Sequence, residues 1–268
     1  MNIIERNMIM LLTELKEKYS VTSVKAEFEA EGTRIEEAMR LKEISMKVGL
    51  DMTIKIGGCE AMKDMFEAAS LGTKNLVAPM VESPFALRKF LLAVKQAYPE
   101  DLRSEMNFYA NIETITAYKN FDDMLNLPEI GELTGVVIGR HDLISSLERP
   151  LSEVNGPQIL DISLDIAAKA KKKGLKVVVG GAISAHALPF LKSFPKGHLD
   201  KFETRKVVFG CPSALSNTEA AFLKAIEFEI DWLKNKKLYY GAIHQEGDSR
   251  LKVMEERYHK QIELVSGK

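Results

Sequence analysis

The stretches MNFYANIE (106–113) and GVVIGRHD (135–142) decide the fold, because each is a short apolar strand pattern that ends in a carboxylate, Glu113 or Asp142. Helix-forming sequence follows both. In a β/α barrel, catalytic groups lie at the carboxyl ends of the strands. Carboxylates from neighbouring strand ends also suit Mg²⁺ or Mn²⁺, which prefer oxygen ligands. The pair therefore predicts a metal-dependent enzyme that acts on a small oxyacid.

Strand and helix patterns alternate along the chain, which is typical of a parallel sheet. The predicted strands are Val21–Phe28, Met52–Ile56, Asn75–Pro79, Met106–Ile112, Gly135–Ile138, Lys176–Val179 and Lys206–Phe209. The predicted helices between them are Arg34–Val48, Cys59–Leu71, Pro84–Tyr98, Thr116–Leu125, Pro157–Lys173 and Ala185–Phe194. We expect an α/β fold, a modified (β/α)8 TIM barrel. Only seven strands are recognisable, so the eighth is either absent or misread near the N-terminus.

Further helical patterns flank the barrel. Ile3–Lys18 precedes the first strand, and a tail of two helices is predicted over Asn217–Lys237 and from Ser249 to about Val265. We expect one domain over residues 1–268, with about 217–268 as a helical extension. That extension either closes its own barrel or docks on a neighbouring subunit.

Composition excludes several classes of protein. Lys plus Arg is 37 and Asp plus Glu is 38, so the formal net charge of −1 does not indicate a nucleic-acid-binding protein. No apolar run approaches the roughly 20 residues that a membrane span needs. Cys59 and Cys211 form no CxxC pair, which favours free thiols and a cytoplasmic location.

Strand parity predicts charge inside the barrel. The outer face of each strand must be apolar to pack beneath helices, and side chains alternate across a strand. This parity directs Lys25, Glu27 and Glu29 inward from the first strand, Lys55 from the second and Asn111 from the fourth. Burying such groups is costly unless they are paired or bind a ligand. A structural ion network and a ligand site are both open for these residues.

Two smaller features suggest binding or catalysis. Lys55 is followed by Gly57-Gly58 and a helical pattern, so the turn at Gly58 is a candidate anion site, although tight turns also use glycine. His141 is a candidate acid–base group because histidine titrates near neutral pH, but an ordinary surface position is equally compatible with the sequence.

With these residues identified, the chain resembles the HpcH/HpaI aldolase and citrate lyase family from about Val21 to Ala225. The resemblance rests on APMVESPFAL (78–87), NIETITAYKNFDDML (111–125) and GVVIGRHDLISSL (135–147). It implies a modified (β/α)8 barrel and, in many members, a divalent metal that holds pyruvate or oxaloacetate as an enolate.

The resemblance also implies roles for individual residues. Glu113 and Asp142 match the metal ligands, and Asn111 and Gly139 match positions that line the substrate site. Lys55 stands where the family has an arginine that contacts the 2-keto acid.

The resemblance leaves the proton carrier open. Gly32 stands where the family has its acid–base histidine, so Glu29, Glu31, His141 and a metal-bound water remain candidates. Arg140, a basic residue expected near the mouth, leaves room for a phosphate group.

The resulting hypothesis is a class II-type aldolase or other carbon–carbon lyase that uses Mg²⁺, Mn²⁺ or another divalent cation. Its expected substrates are a 2-keto acid such as pyruvate and an aldehyde, and we expect a homo-oligomer. One alternative is a lyase acting on a CoA ester, as in citrate, citramalyl or malyl-CoA lyases, or an enzyme using a phosphoenolpyruvate-like acid. Another is a barrel that binds or assembles without catalysis.

Overall fold

Eight short strands form a closed barrel in the computed structural model of the protein, in which they follow one another in chain order. The structure describes residues 1–217 and 219–266; Thr218, inside the predicted tail, and residues 267–268 lie outside the described residues. The strands are β1 (Val21–Glu27), β2 (Asp51–Lys55), β3 (Asn75–Ala78), β4 (Asn107–Ile112), β5 (Gly135–Gly139), β6 (Lys176–Gly180), β7 (Lys201–Glu203) and β8 (Val207–Gly210).

The last strand departs from a regular barrel. Strands β1 to β7 are parallel, whereas β8 pairs antiparallel with both β7 and β1. The tight turn 204–206 joins β7 to β8 and therefore lies at the same end as the carboxyl ends of β1 to β7. The prediction of seven strands in a parallel sheet was wrong at this point. The missing strand is the three-residue β7, and the N-terminal segment is a helix as predicted.

Eleven α-helices are found among the described residues. They are α1 (Ile3–Tyr19), α2 (Ile35–Val48), α3 (Met62–Ser70), α4 (Pro84–Ala97), α5 (Glu100–Ser104), α6 (Ile115–Lys119), α7 (Phe121–Leu125), α8 (Arg140–Ser146), α9 (Pro157–Lys172), α10 (Leu188–Lys192) and α11 (Glu219–Ser266). Local signals explain several of their ends. At α4, for example, the Ser83 hydroxyl accepts a hydrogen bond from the Ala86 N–H and Pro84 occupies the first turn.

The tail is one continuous helix, not the two that the sequence predicted. Helix α11 has 48 residues and runs through Tyr239-Tyr240-Gly241 without a break. Its first turns pack on the barrel, where the Phe222 ring lies 6.1 Å from that of Phe202 and 6.0 Å from that of Phe209. The stretch 242–264 is exposed along its whole length. Gly241 did not end the helix because glycine weakens a helix interior by only about 1 kcal/mol.

The barrel has two hydrophobic layers. Alternate strand residues such as Val24, Ile54 and Ile138 face outward and are fully buried beneath the helices. Inside the barrel, an apolar cluster comes from Val77, Tyr109, Val137 and Val178. Polar residues occupy the interior on either side of this cluster, which leaves the carboxyl end of the strands for charged side chains.

Candidate active site

A cavity of about 540 Å³ opens at the carboxyl ends of the parallel strands. Its floor is charged, with side chains from β1, β2, β4 and β7. Its walls come from the loops after β5 and β6 and from the first turns of α11. The lining includes Lys25, Glu27, Glu29, Lys55, Asn111, Glu113, Gly139, His141, Asp142, Gly181, Ala182, Ile183, Glu203, Arg205 and Glu229. The structure thus brings together most of the residues that the sequence singled out.

Glu113 lies just past the end of β4 and is only 2% exposed. Its Oε1 accepts a hydrogen bond from the Met80 N–H at 2.9 Å, and its Oε2 accepts one from Asn111 Nδ2 at 2.7 Å. Gly139 gives the carboxylate its space, because a Cβ at that position would lie 2.6 Å from both Cβ and Oε2 of Glu113. The carboxylate is therefore held in one orientation by two donors and a glycine.

Lys55 lies between two carboxylates on the floor. Its Nζ is 2.8 Å from Glu29 Oε2 and 3.5 Å from Glu113 Oε2. Burial alone would lower the pKa of Lys55, but Glu113 and Glu29 outweigh it and the pKa is raised. Lys55 is consequently a fixed ammonium group at the centre of the site.

The carboxyl pKa of Glu113 is shifted in the opposite sense from an ordinary ion-paired glutamate. Burial raises this pKa, and the negative charge of Asp142 adds to the effect. Lys55 and the hydrogen bonds from Met80 and Asn111 oppose the rise without cancelling it. A cation placed near Glu113 and Asp142 would favour the ionised carboxylate.

Asp142 and His141 lie at the rim beside Glu113. The Asp142 side chain is 41% exposed, and its Oδ1 is 3.5 Å from His141 Nδ1. His141 is more exposed still, at 55%. Both line the cavity, so the structure places the two predicted metal ligands and one candidate proton carrier in the same site.

The two other candidate proton carriers differ in position. Glu29 lines the cavity and pairs with Lys55. Glu31 forms an ion pair with Lys206 and lies 3.7 Å from Arg205, and it is not among the residues that line the cavity.

Arg140 and Gly58 also lie outside the cavity lining. Arg140 is fully buried, and burial lowers its pKa to about 10. At the other turn, the Gly57 N–H donates to Asp64 Oδ2 at 2.7 Å, and α3 begins only at Met62. The sequence predicted an anion site at Lys55 and the start of the next helix. Four residues separate Gly57 from α3, so the helix does not begin at this turn as that prediction required.

Sequence reasoning missed three charged residues of the site. Glu203 lies on β7, and its Oε1 is 2.5 Å from Lys25 Nζ, which also lies 3.0 Å from Glu27 Oε1. Arg205 lies in the turn 204–206, and its Nε is 3.8 Å from Glu229 of α11. The alternation of Lys201, Phe202 and Glu203 was a signal for a strand, but three residues are too few for it to stand out.

The acceptor oxygens around Glu113 fit a hard divalent cation. Asn111 Oδ1 is buried and has no hydrogen-bond donor among the described residues. Carboxylate and amide oxygens are the ligands that Mg²⁺ and Mn²⁺ prefer. Within residues 1–217 and 219–266, no three His, Cys, Asp or Glu side chains converge as a ready-made ligand set. A cation held by Glu113 and Asp142 would therefore keep coordination positions for water or substrate.

The chain belongs to the HpcH/HpaI aldolase/citrate lyase family. The sequence model of that family matches residues 34–186, which is more than half of the chain. The matched range contains Lys55, Asn111, Glu113, Gly139 and Asp142, whereas β1, β7 and α11 lie outside it.

Solved structures share the fold at low sequence identity. An HpcH/HpaI aldolase from Desulfitobacterium hafniense DCB-2 is 14% identical, with a TM-score of 0.61 over 86% of this chain and 88% of that chain. The citrate synthase SbnG is 13% identical, with a TM-score of 0.60 over 85% and 89%. An HpcH/HpaI aldolase/citrate lyase family protein from Burkholderia cenocepacia J2315 is 12% identical, with a TM-score of 0.59 over 86% and 90%. These likenesses confirm the predicted barrel.

No curated protein sequence gives a significant match to the chain. Over the part of the chain that the structure describes, none of the helices has the length and apolar character needed to cross a bilayer.

Proposed function

We propose that the protein is a divalent-metal-dependent carbon–carbon lyase, an aldolase of the class II type, acting through the enolate of pyruvate or a related 2-keto acid. Its family supports a lyase or aldolase. The observation that carries the finer proposal is the buried Glu113 carboxylate, with Lys55 Nζ 3.5 Å away and Asp142 in the same cavity.

Glu113 and Asp142 are the proposed ligands of Mg²⁺ or Mn²⁺. A bound cation of this kind supplies a Lewis acid that stabilises negative charge on a keto oxygen. The two hydrogen bonds to Glu113 and the glycine beside it keep the carboxylate ready for this role, which lowers the reorganisation needed on binding.

Lys55 is the proposed electrostatic partner of the substrate. Its ammonium group lies on the cavity floor. A positive charge near the enolate oxygen would stabilise the negative charge that develops there in the transition state. Asn111 lines the same cavity and donates from Nδ2 to Glu113 Oε2, so its proposed role is to hold the Glu113 carboxylate beside the substrate. Gly139 permits the close approach of Glu113 and borders the same space.

Proton transfer is assigned to His141 or Glu29, both of which line the cavity. His141 is exposed and close to Asp142, whereas Glu29 is paired with Lys55. Glu31 is disfavoured because Lys206 and Arg205 already surround its carboxylate.

A lyase that acts on a CoA ester or a phosphorylated acid is the second candidate. The Arg205 side chain is 55% exposed at the cavity mouth, where a basic group would meet an anionic substituent of a larger substrate. Stabilisation of the protein against unfolding by CoA esters, with none by pyruvate, would favour this candidate. A non-catalytic barrel is disfavoured by the cost of retaining so many inward charges.

The exposed half of α11 supports a homo-oligomer. Ile243, Leu251, Met254 and Tyr258 lie along one stripe and are each 53–62% exposed. Apolar side chains at this spacing suit helix–helix contact with a second copy of the chain. We also propose a cytoplasmic location, because Cys59 and Cys211 are both free thiols.

The test is exchange of the methyl protons of pyruvate for deuterium, followed by NMR. The purified protein is assayed with Mn²⁺ or Mg²⁺ and then with excess EDTA. We expect exchange that needs the metal and is lost in Glu113→Gln and in Asp142→Asn. Asp123→Asn, which removes an exposed carboxylate from α7, serves as the matched control and retains exchange. Metal binding and exchange at the parent level in both site variants would contradict the proposal.

A further inference from the structure

The loop after β6 has an unusual support, a fully buried arginine that binds consecutive backbone carbonyls. Arg140 Nε donates to the Gly180 oxygen at 3.3 Å, and Nη2 donates to the oxygens of Gly181 at 2.7 Å and Ala182 at 3.3 Å. The guanidinium also lies 4.4 Å from the centre of the Phe190 ring. Three successive peptide groups are thereby turned so that their carbonyls converge on one side chain.

This arrangement fixes the direction of the amide groups on the other side of the loop. In a trans peptide the C=O and the following N–H point in opposite directions. The N–H groups of Gly181, Ala182 and Ile183 therefore point away from Arg140. These three residues line the cavity, and Arg140 does not.

The three N–H groups have no hydrogen-bond acceptor among the described residues. Ala182 adopts its φ of +52° at some cost because it carries a side chain, whereas Gly181 adopts φ +78° without steric strain. A close approach makes glycine necessary at the first position, because a Cβ on Gly181 would lie 2.5 Å from the His141 nitrogen.

The charges around the loop also favour a negatively charged ligand. Arg140 forms no ion pair with a described carboxylate; its remaining partner is the neutral Oδ1 of Asn155, 2.7 Å from Nη1. The floor of the cavity is different, since Lys25 is shared by two carboxylates there. An unneutralised cation behind three aligned peptide dipoles makes the β6 loop the wall that attracts a negative group.

We propose that the N–H groups of Gly181, Ala182 and Ile183 bind an oxyanion of the substrate, a carboxylate or phosphate group distinct from the part that reacts at Glu113. Arg140 is the positioning residue that sets this amide cluster and supplies its positive potential. The assignment rests on the proposed function in that it names a second, anionic end of the substrate. The reacting carbon lies on the Glu113 side of the cavity, and the anionic end lies on the β6 side.

The experiment measures anion binding directly and without turnover. Protein labelled with ¹⁵N at glycine, alanine and isoleucine is treated with EDTA and titrated with inorganic phosphate, and separately with acetate, at constant ionic strength. We expect the amide resonances of Gly181, Ala182 and Ile183 to shift in a saturable way with at least one of the two anions. Tighter phosphate binding indicates a phosphorylated substrate, and equal or tighter acetate binding indicates a dicarboxylate.

The variant Asn155→Asp tests the role of Arg140 without removing it. A carboxylate at this position keeps a hydrogen-bond acceptor for Nη1 but neutralises the guanidinium, so anion affinity should fall about tenfold. Asn126→Asp adds the same charge on an exposed residue at the end of α7 and should leave the affinity unchanged.

Two results would overturn the inference. One is the absence of saturable shifts at the three amides with both anions. The other is an Asn155→Asp protein that binds the anion as tightly as the parent. Neither result bears on the proposed lyase activity, because metal-dependent proton exchange of pyruvate is measured in a separate experiment. Exchange without anion binding would remove only this inference, and anion binding without exchange would remove only the proposed lyase activity.

Discussion

Replacing Gly139 by alanine tests whether Glu113 is held in place for a metal. The added Cβ would lie 2.6 Å from Glu113 Cβ and from Oε2, whereas ordinary contacts begin near 3.4 Å. The two groups must therefore separate by about 0.8 Å. Because one clashing atom is Cβ, rotation of the carboxylate alone cannot relieve the overlap, and β4 or β5 must shift.

The expected cost has two parts. Overpacking a tight site typically destabilises a protein by about 1–3 kcal/mol. A misplacement of about 1 Å at a reacting group can reduce the rate on the order of a hundredfold. We therefore expect a folded variant with weaker Mn²⁺ binding, by about 10- to 100-fold, and with a comparable loss of pyruvate exchange.

Calorimetric titration with Mn²⁺ measures the affinity, and urea unfolding measures the stability. Two other glycines give a graded series. A Cβ on Gly180 would lie 3.2 Å from Glu203 Cγ, a contact that small movements relieve, and a Cβ on Gly131 would meet nothing within 4 Å. A Gly139→Ala protein that is folded and binds Mn²⁺ like the Gly131→Ala control would refute the assignment of Glu113 as a ligand.

Four further predictions concern the floor and the tail. Lys25→Met should lower the free energy of unfolding in urea by about 3–5 kcal/mol, because it leaves two buried carboxylates without their shared cation, and adding Glu203→Gln should restore part of the loss. Burial alone would raise the pKa of Glu27, but Lys25 outweighs burial and the pKa is lowered. Ionised Glu27 therefore stabilises the fold above the unfolded pKa of about 4.3, and this stabilisation should be lost as the pH falls through the lower folded pKa. Unfolding midpoints measured at successive pH values would show the loss. The raised pKa of Glu113 means that protons compete with the metal, so Mn²⁺ affinity should begin to fall at a higher pH than for an ordinary glutamate, and a pH-independent affinity would contradict this. Leu251→Glu should reduce the mass found by light scattering if α11 joins copies of the chain, and an unchanged mass would argue against that contact.

The inward direction of the charged side chains could be predicted because it follows from two simple constraints. Strand side chains alternate, and the outer face of the barrel must be apolar. Once Val24 and Ala26 are assigned to the outer face, Lys25 and Glu27 have to point inward, as the structure confirms. No knowledge of the other strands was required for this step.

The partners of those charges could not be predicted in the same way. The sequence left open an ion network among the inward residues without fixing its pairs. In the structure Glu29 pairs with Lys55, and Lys25 pairs with Glu27 and Glu203. Lys25 and Glu203 are 178 positions apart. They meet only because the barrel closes, and closure is a property of the whole sheet.

The antiparallel end of the barrel was hidden for a related reason. β7 has only three residues, and its side chains alternate between charged and apolar, so it resembles a loop as much as a strand. Its stability comes from pairing with β6 on one side and β8 on the other. Tertiary contacts outweigh local pattern in so short a strand.

The shared lysines also bear on how the barrel accommodates so much charge. Lys25 bridges Glu27 and Glu203, and Lys55 bridges Glu29 and Glu113, so each lysine neutralises only one of two carboxylates. In the first bridge both carboxylates lie close to the ammonium, and the pKa of Glu27 is lowered. In the second, burial raises the pKa of Glu113, Asp142 adds to the rise, and the more distant ammonium of Lys55 does not cancel it. Ionisation of Glu113 is therefore disfavoured in the folded site, and a divalent cation bound beside it would favour the ionised form.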